Sequence, residues 1–300
     1  MSFVEKACME SGFLPLLFFL LFLAIYLLTL MGNLLILLTI CFSPQLHSPM
    51  YYFLCELSLL DLCYSTTTVP KMLAGFLADS QTISYGSCVA QLFSFHFFGG
   101  TECFLLTVMA YDRYVAICDP LHYIAVMTKL VCMRLAAGTW LVGTLHSTLQ
   151  TVLTFQLPYC GPNILDHYFC DVPPLLKVAC ADTSVNEVVI FANVGAVALS
   201  SLALIVSSYI RIVSTILQMH SEEGRKKAFS TCAAHLTVVF LLYIPCMLIY
   251  MQPASRHPVL KAVAVFYTTV TPALNPIIYA LRNEEIKKAV KKFTCKYMFS

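Results

Sequence analysis

Two carboxylates, Asp61 and Glu102, lie deep inside apolar stretches of this 300-residue chain. Within one apolar bundle such a pair repels unless one member takes a proton or a cation sits between them. An acid and a base stand side by side at Asp112-Arg113, directly after the apolar run Cys88 to Met109. That is where a membrane helix should meet water, and a charged pair there can snorkel or signal. Cys88, Cys160, Cys170 and Cys180 fall on one predicted side of the membrane, where oxidation permits disulfides in any of three pairings. His167-x-x-Cys170-Asp171 and Cys232-x-x-His235 have metal-compatible spacing, although Cys170 is better used in a disulfide and His235 in packing. There is no His-Glu-x-x-His, and no evident activated nucleophile is set against Asp61 or Glu102, so no catalytic residue is expected. Glu56 is a further acid at span depth with no partner legible in the sequence.

Membrane helices must position these groups. Residues are 59% hydrophobic and only 11% charged, with mean hydropathy +0.79, whereas soluble domains carry about 25% charged residues. At about 20 residues per span the chain accommodates seven helices. The runs are Phe13 to Cys41, Met50 to Leu77, Cys88 to Met109, Leu135 to Leu157, Val188 to Ile210, Ala228 to Met251 and Leu260 to Leu281. The first is too long for a signal-peptide core. Pro70, Pro245, Pro272 and Pro276 predict kinks. Residues 1–12 and 79–86 read as polar ends and turns, and 158–187 as a long loop tied down by its cysteines. Arg282 to Phe293 reads as a basic amphipathic helix, with Ile286, Ala289, Val290 and Phe293 on one face.

Of the 18 Lys and Arg, all but Lys6, Lys71, Lys177, Arg256 and Lys261 fall on the side of Arg113, Arg225 and the C-terminus. The bias predicts a multi-pass membrane protein with its N-terminus outside. The expected organisation is an extracellular segment 1–12, an all-α bundle 13–281 and a cytoplasmic helix and tail 282–300. A net charge of +2 gives no reason to expect nucleic acid. No inverted repeat supports a transporter, the rival reading in which Asp61 and Glu102 line an ion path.

The stretch Met109-Ala-Tyr-Asp-Arg-Tyr-Val-Ala-Ile-Cys118 resembles the third helix of odorant receptors, a branch of the rhodopsin-like G-protein-coupled receptors. Gly32-Asn33, Ser48-Pro49-Met50-Tyr51-Tyr52-Phe53-Leu54 and Leu57-Ser58-Leu59-Leu60-Asp61 are similar to that family's first two helices. Ser208-Tyr209, Lys227-Ala228-Phe229-Ser230-Thr231-Cys232-Ala233-Ala234-His235-Leu236 and Pro272-Ala273-Leu274-Asn275-Pro276-Ile277-Ile278-Tyr279 are similar to its fifth, sixth and seventh. The motifs occur in order over about residues 30 to 290, and their combination is specific. Two departures stand out: no Asn-x-Ser/Thr sequon occurs, and Ile244-Pro245 follows Tyr243 where the family commonly has glycine.

The resemblance implies a plasma-membrane receptor for a small volatile odorant. It would act through a heterotrimeric stimulatory, olfactory-type G protein that raises cyclic AMP, with no enzymatic cofactor. It implies a sodium pocket at Asn33, Asp61, Glu102 and Asn275, with sodium as an allosteric modulator. It implies an activation set in which Asp112 holds Arg113 at rest and releases it toward Tyr209 and Tyr279. It implies disulfides Cys88–Cys170 and Cys160–Cys180. The ligand is expected in the outer half of the bundle, among His96, Gly99, Asn193, Tyr243, Cys246, Tyr250 and Thr268. Phe95, where an amine-binding receptor would want a carboxylate, argues against a cationic ligand. A receptor for a non-odour metabolite would look the same. Cys295, after the last basic helix, is either palmitoylated or a free thiol.

Overall fold

The computed structural model describes residues 2–5, 13–78, 81–161, 164–165, 167–250 and 258–297. Lys6, Arg256 and Asp79 lie outside them, as do the side chains of Lys261, Arg282, Cys295 and Lys296. Seven long helices form the body: α1 Phe13–Phe42, α2 Pro49–Leu77, α3 Tyr85–Cys118, α4 Lys129–Phe155, α5 Ser184–Gln218, α6 Glu222–Tyr250 and α7 over 258–282. An eighth, α8, spans Glu284–Tyr297.

Among the described residues, five helices are long and apolar enough to cross a membrane by composition alone. The other two long helices, α2 and α4, carry more polar residues, and those polar groups turn inward: Ser58, Asp61, Ser65 and Thr68 on α2, and His146, Ser147 and Gln150 on α4, are buried. The outer surface is aliphatic, with Leu20, Leu145, Ile210 and Phe240 more than half exposed. Such a surface suits hydrocarbon, which cannot satisfy a polar group. Close approach of α3 and α4 requires Gly143, because a Cβ there would collide with the Thr101 side chain.

Several helices outrun their apolar stretches. α3 continues to Cys118, and α5 runs from Ser184 to Gln218. Hydropathy marks the thickness of the lipid core, whereas backbone hydrogen bonding continues into water wherever caps permit. Ser84 and Thr128 supply such caps to α3 and α4, accepting from the Ser87 and Val131 amides at 3.1 and 3.4 Å. In α7, Pro258–Val265 is followed by a π turn at Phe266–Val270 before Thr271–Arg282 resumes. Pro272 has no N–H to donate, and the wider turn accommodates the loss.

Polar ends and turns were expected at 1–12 and 79–86, yet strands form within both. β1 (Ser2–Glu5) is central in a small sheet, antiparallel to β2 (Gln81–Ser84) and parallel to β3 (Ile164–Leu165). Phe3 is fully buried against Ile83, Leu165 and Leu175 on the face that carries the long loop. Four-residue strands leave little local signal, and their pairing here is non-local. That loop also holds a short helix, Val172–Val178, whose first amide donates to Asp171 Oδ1 at 2.8 Å.

Candidate functional site

Three clusters of polar groups are threaded on the helices. The first lies at the basic end of α3. Asp112 and Arg113 are both buried, at 3% and 4% exposure. Asp112 was expected to hold Arg113, and a second partner engages it. Its Oδ1 accepts from the Tyr123 hydroxyl at 2.8 Å, offered by the one-turn helix Tyr123–Val126. Arg113 Nε and Nη1 and the Tyr279 hydroxyl make no hydrogen bond, and both residues line a cavity of ≈ 20 Å³ with Met109, Thr231 and Asn283. Tyr209 stands apart, bonded to His235 Nδ1 at 2.9 Å. His235 Nε2 meets the Leu106 carbonyl at 3.0 Å. A carbonyl only accepts, so Nε2 carries a proton and Nδ1 accepts from Tyr209. His235 thereby ties α6 to both α3 and α5, a contact within the bundle whose particular partners the sequence did not disclose.

The second cluster is at mid-depth. Asn275 Nδ2 reaches both Asp61 oxygens at 3.0 Å. Glu102, 4% exposed, is close enough for its charge to act on Asp61. Glu102 Oε1 and Asn275 Oδ1 are buried without a hydrogen bond. Unsatisfied oxygens beside two carboxylates suit a small hard cation, which is bound by oxygen ligands. Asn33 points elsewhere: its Nδ2 donates to the Thr29 and Pro272 carbonyls at 3.0 and 3.1 Å, stitching α1 to α7, while its Oδ1 stays unpaired. Glu56 gains a partner, the Trp140 indole N–H at 3.0 Å. The acid on α2 is thus stabilised from α4 by the chain's one tryptophan.

The third cluster lies beneath the long loop, in a cavity of ≈ 30 Å³ between α3, α4, α5, α6 and α7. His96, Gly99, Cys246 and Tyr250 are on its wall, together with Phe95, Cys103, His146 and Tyr267, which sequence reasoning did not assign. Asn193, Tyr243 and Thr268 are not. Asn193 Oδ1 accepts from Gln150 at 3.2 Å, the Tyr243 hydroxyl donates to Ser201 Oγ at 2.6 Å, and Thr268 bonds back to the Ala264 carbonyl at 2.9 Å.

The loop supplies the roof. Tyr250 donates to Asp171, lying 3.0 and 2.9 Å from its two oxygens, and His96 Nε2 stands 3.5 Å from Oδ1. Burial opposes ionisation of Asp171, but the His96 ring, His167 and the Val172 amide outweigh it and hold the carboxyl below the usual range. A carboxylate therefore does stand above the cavity. It comes from the loop rather than from the position of Phe95, and it is already engaged.

The family model described as olfactory receptor matches residues 22–297. The chain belongs to the olfactory receptor family. Human olfactory receptor 10G6 is 58% identical over 274 residues, 91% of this chain and 82% of its own. Human olfactory receptor 10G4 is 55% identical over 292 residues, 97% of this chain and 94% of its own. Mouse olfactory receptor 4E2 is 53% identical over 290 residues, again 97% and 94% of the two chains. The protein is accordingly a seven-helix, multi-pass G-protein-coupled receptor of the plasma membrane and not an enzyme.

In this receptor two disulfides secure the roof, Cys88–Cys170 from α3 to the loop and Cys160–Cys180 within the loop. Cys170 is therefore not available to the metal spacing His167-x-x-Cys170-Asp171, and among the described residues no group of three His, Cys, Asp or Glu could hold a metal.

Proposed function

We propose that this olfactory receptor binds a small volatile organic molecule beneath the long loop and activates a stimulatory G protein that raises cyclic AMP. The N-terminus and loop face outward and the Arg113 face inward, with 1–12 extracellular, 13–281 in the bundle and 282–300 cytoplasmic. One observation carries the reading: His96 on the cavity wall and Arg113 on the opposite cavity share one continuous helix, Tyr85–Cys118. Their separation of 17 residues corresponds to about 25 Å of rise.

The narrow cavity of ≈ 30 Å³ has room for little more than water, and an odorant must widen it. Differential affinity for a widened arrangement shifts the population of helix positions. α6, which carries Pro245 inside it and is held to α3 and α5 through His235, is the element whose inner end swings. The resting tie is Tyr123 to Asp112, and activation turns the unpaired nitrogens of Arg113 toward the G protein beside Tyr209 and Tyr279.

The test is cyclic AMP in cells expressing the chain with the olfactory stimulatory G protein, challenged with volatile mixtures. A ligand-dependent rise is expected, and Gly99→Ala, whose methyl group fits at ordinary contact distance and takes up part of the cavity, should raise the effective concentration at least about threefold at matched surface density. A response indifferent to that substitution would put the ligand elsewhere. Ion flux without any G-protein signal would favour the transporter reading instead.

Asp61, Glu102 and Asn275 would hold sodium, with Asn33 outside the immediate set. Exchanging choline for sodium at constant ionic strength should lower Tm of the purified receptor by about 3 °C. Asp61→Asn should erase that difference, and a sodium effect persisting in the variant would exclude this pocket.

A further inference from the structure

Asn283 joins α7 to α8. Its Oδ1 accepts from the Glu285 and Ile286 amides at 3.0 and 3.2 Å, capping two N–H groups that the helix cannot satisfy itself. The Tyr51 hydroxyl arrives at the same junction from the first turn of α2. It lies 2.6 Å from Glu285 Oε2 and 3.3 Å from Asn283 Nδ2. A phenol has one proton to give, and the carboxylate is the nearer and charged acceptor. Tyr51 therefore donates to Glu285 and accepts from the Asn283 amide. Its side chain is only 3% exposed.

This knot joins residues 232 positions apart, and one of its members faces the coupling cavity. Asn283 lines the same ≈ 20 Å³ space as Arg113 and Tyr279. The rest of α8 is held separately, by buried Ile286 and Ala289 and by Phe293 stacked on Phe42 at 6.0 Å. The hydroxyl of Tyr51 thus acts on the turn between α7 and α8 more than on the helix beyond it.

We infer that Tyr51 is a positioning residue for G-protein coupling: its bonds to Glu285 and Asn283 latch the α7–α8 turn onto α2 and keep the cavity over Arg113 narrow. The inference rests on the coupling reading above. To open that cavity the end of α7 must part from α2, and the short bond to Glu285 resists the parting. The latch biases a two-state element without touching the partner itself.

Tyr51→Phe keeps the ring and its burial and removes only the hydroxyl. Basal cyclic AMP per surface receptor, with no odorant added, should rise about three- to tenfold, the net share of one hydrogen bond. Amide exchange over 284–297 in the purified receptor should quicken in parallel. Glu285→Ala should match Tyr51→Phe, Glu285→Gln should stay near wild type because it keeps an acceptor, and Tyr52→Phe should change neither readout. Faster exchange with a flat basal signal would make the knot merely structural and overturn the proposal, as would unchanged exchange. A basal signal that Arg113→Ala does not reduce would instead indict the coupling reading, whereas one sensitive to Arg113 but indifferent to Tyr51→Phe would sink the latch alone.

Discussion

Arg113→Ala should abolish odorant-dependent cyclic AMP, reducing it at least tenfold at equal surface density. The guanidinium is 4% exposed, and its Nε and Nη1 lack partners. These donors face the coupling cavity, where a partner's acceptors can meet them. Removing the side chain takes away that contact without breaking an existing hydrogen bond at these atoms, so folding and delivery should be spared. Arg113→Lys should fail to rescue, because a point charge cannot reproduce a planar fork of donors. Signal beside surface immunostaining decides the matter: wild-type output from Arg113→Ala would remove Arg113 from the coupling site.

Cys170→Ser should deplete the receptor from the cell surface by about tenfold or more. The Cys88–Cys170 bond closes a loop of 82 residues, and a chain-entropy account gives such a crosslink about 4 kcal/mol. Its loss also frees the roof, because Asp171 is the next residue and bonds to Tyr250. Cys160→Ser should be milder, since that bond spans only 20 residues within the loop and lies at its exposed edge. Surface labelling of the two variants checks the order, and equal surface levels for Cys170→Ser and wild type would show that the loop is held without its disulfide.

How far the site was legible depends on the kind of signal each residue carries. His96, Gly99, Cys246 and Tyr250 line the cavity because helical spacing selects a face. The same spacing chose Tyr243, yet its hydroxyl is taken by Ser201 on α5. His146 and Tyr267 were missed because both lie on apolar runs where a histidine or tyrosine reads as packing. Glu56 was recognised as an acid needing a partner, but nothing local pointed to Trp140, 84 residues away. Asp112 and Arg113 are neighbours in the chain, and adjacency suggested an ion pair. Successive side chains on a helix point in different directions, which lets Asp112 reach Tyr123.

Hydropathy by itself determined that this chain crosses a membrane many times, because lipid imposes a length and a polarity on every span; α2 and α4 carry the weaker signal, because their polar groups turn inward. The ordered motifs determined the family, because each combines residue types and spacings that few other chains share. Only the tertiary structure decided which polar groups meet: the loop carboxylate over His96, His235 between Tyr209 and Leu106, and Tyr51 at the start of α8. It also decided that the first residues form the middle strand of a sheet. Periodicity reports which face of an element avoids lipid or water, while a buried hydrogen bond depends on the angle and depth at which a distant element arrives. That information is spread over the packing of the whole bundle and is carried by no single stretch of the chain.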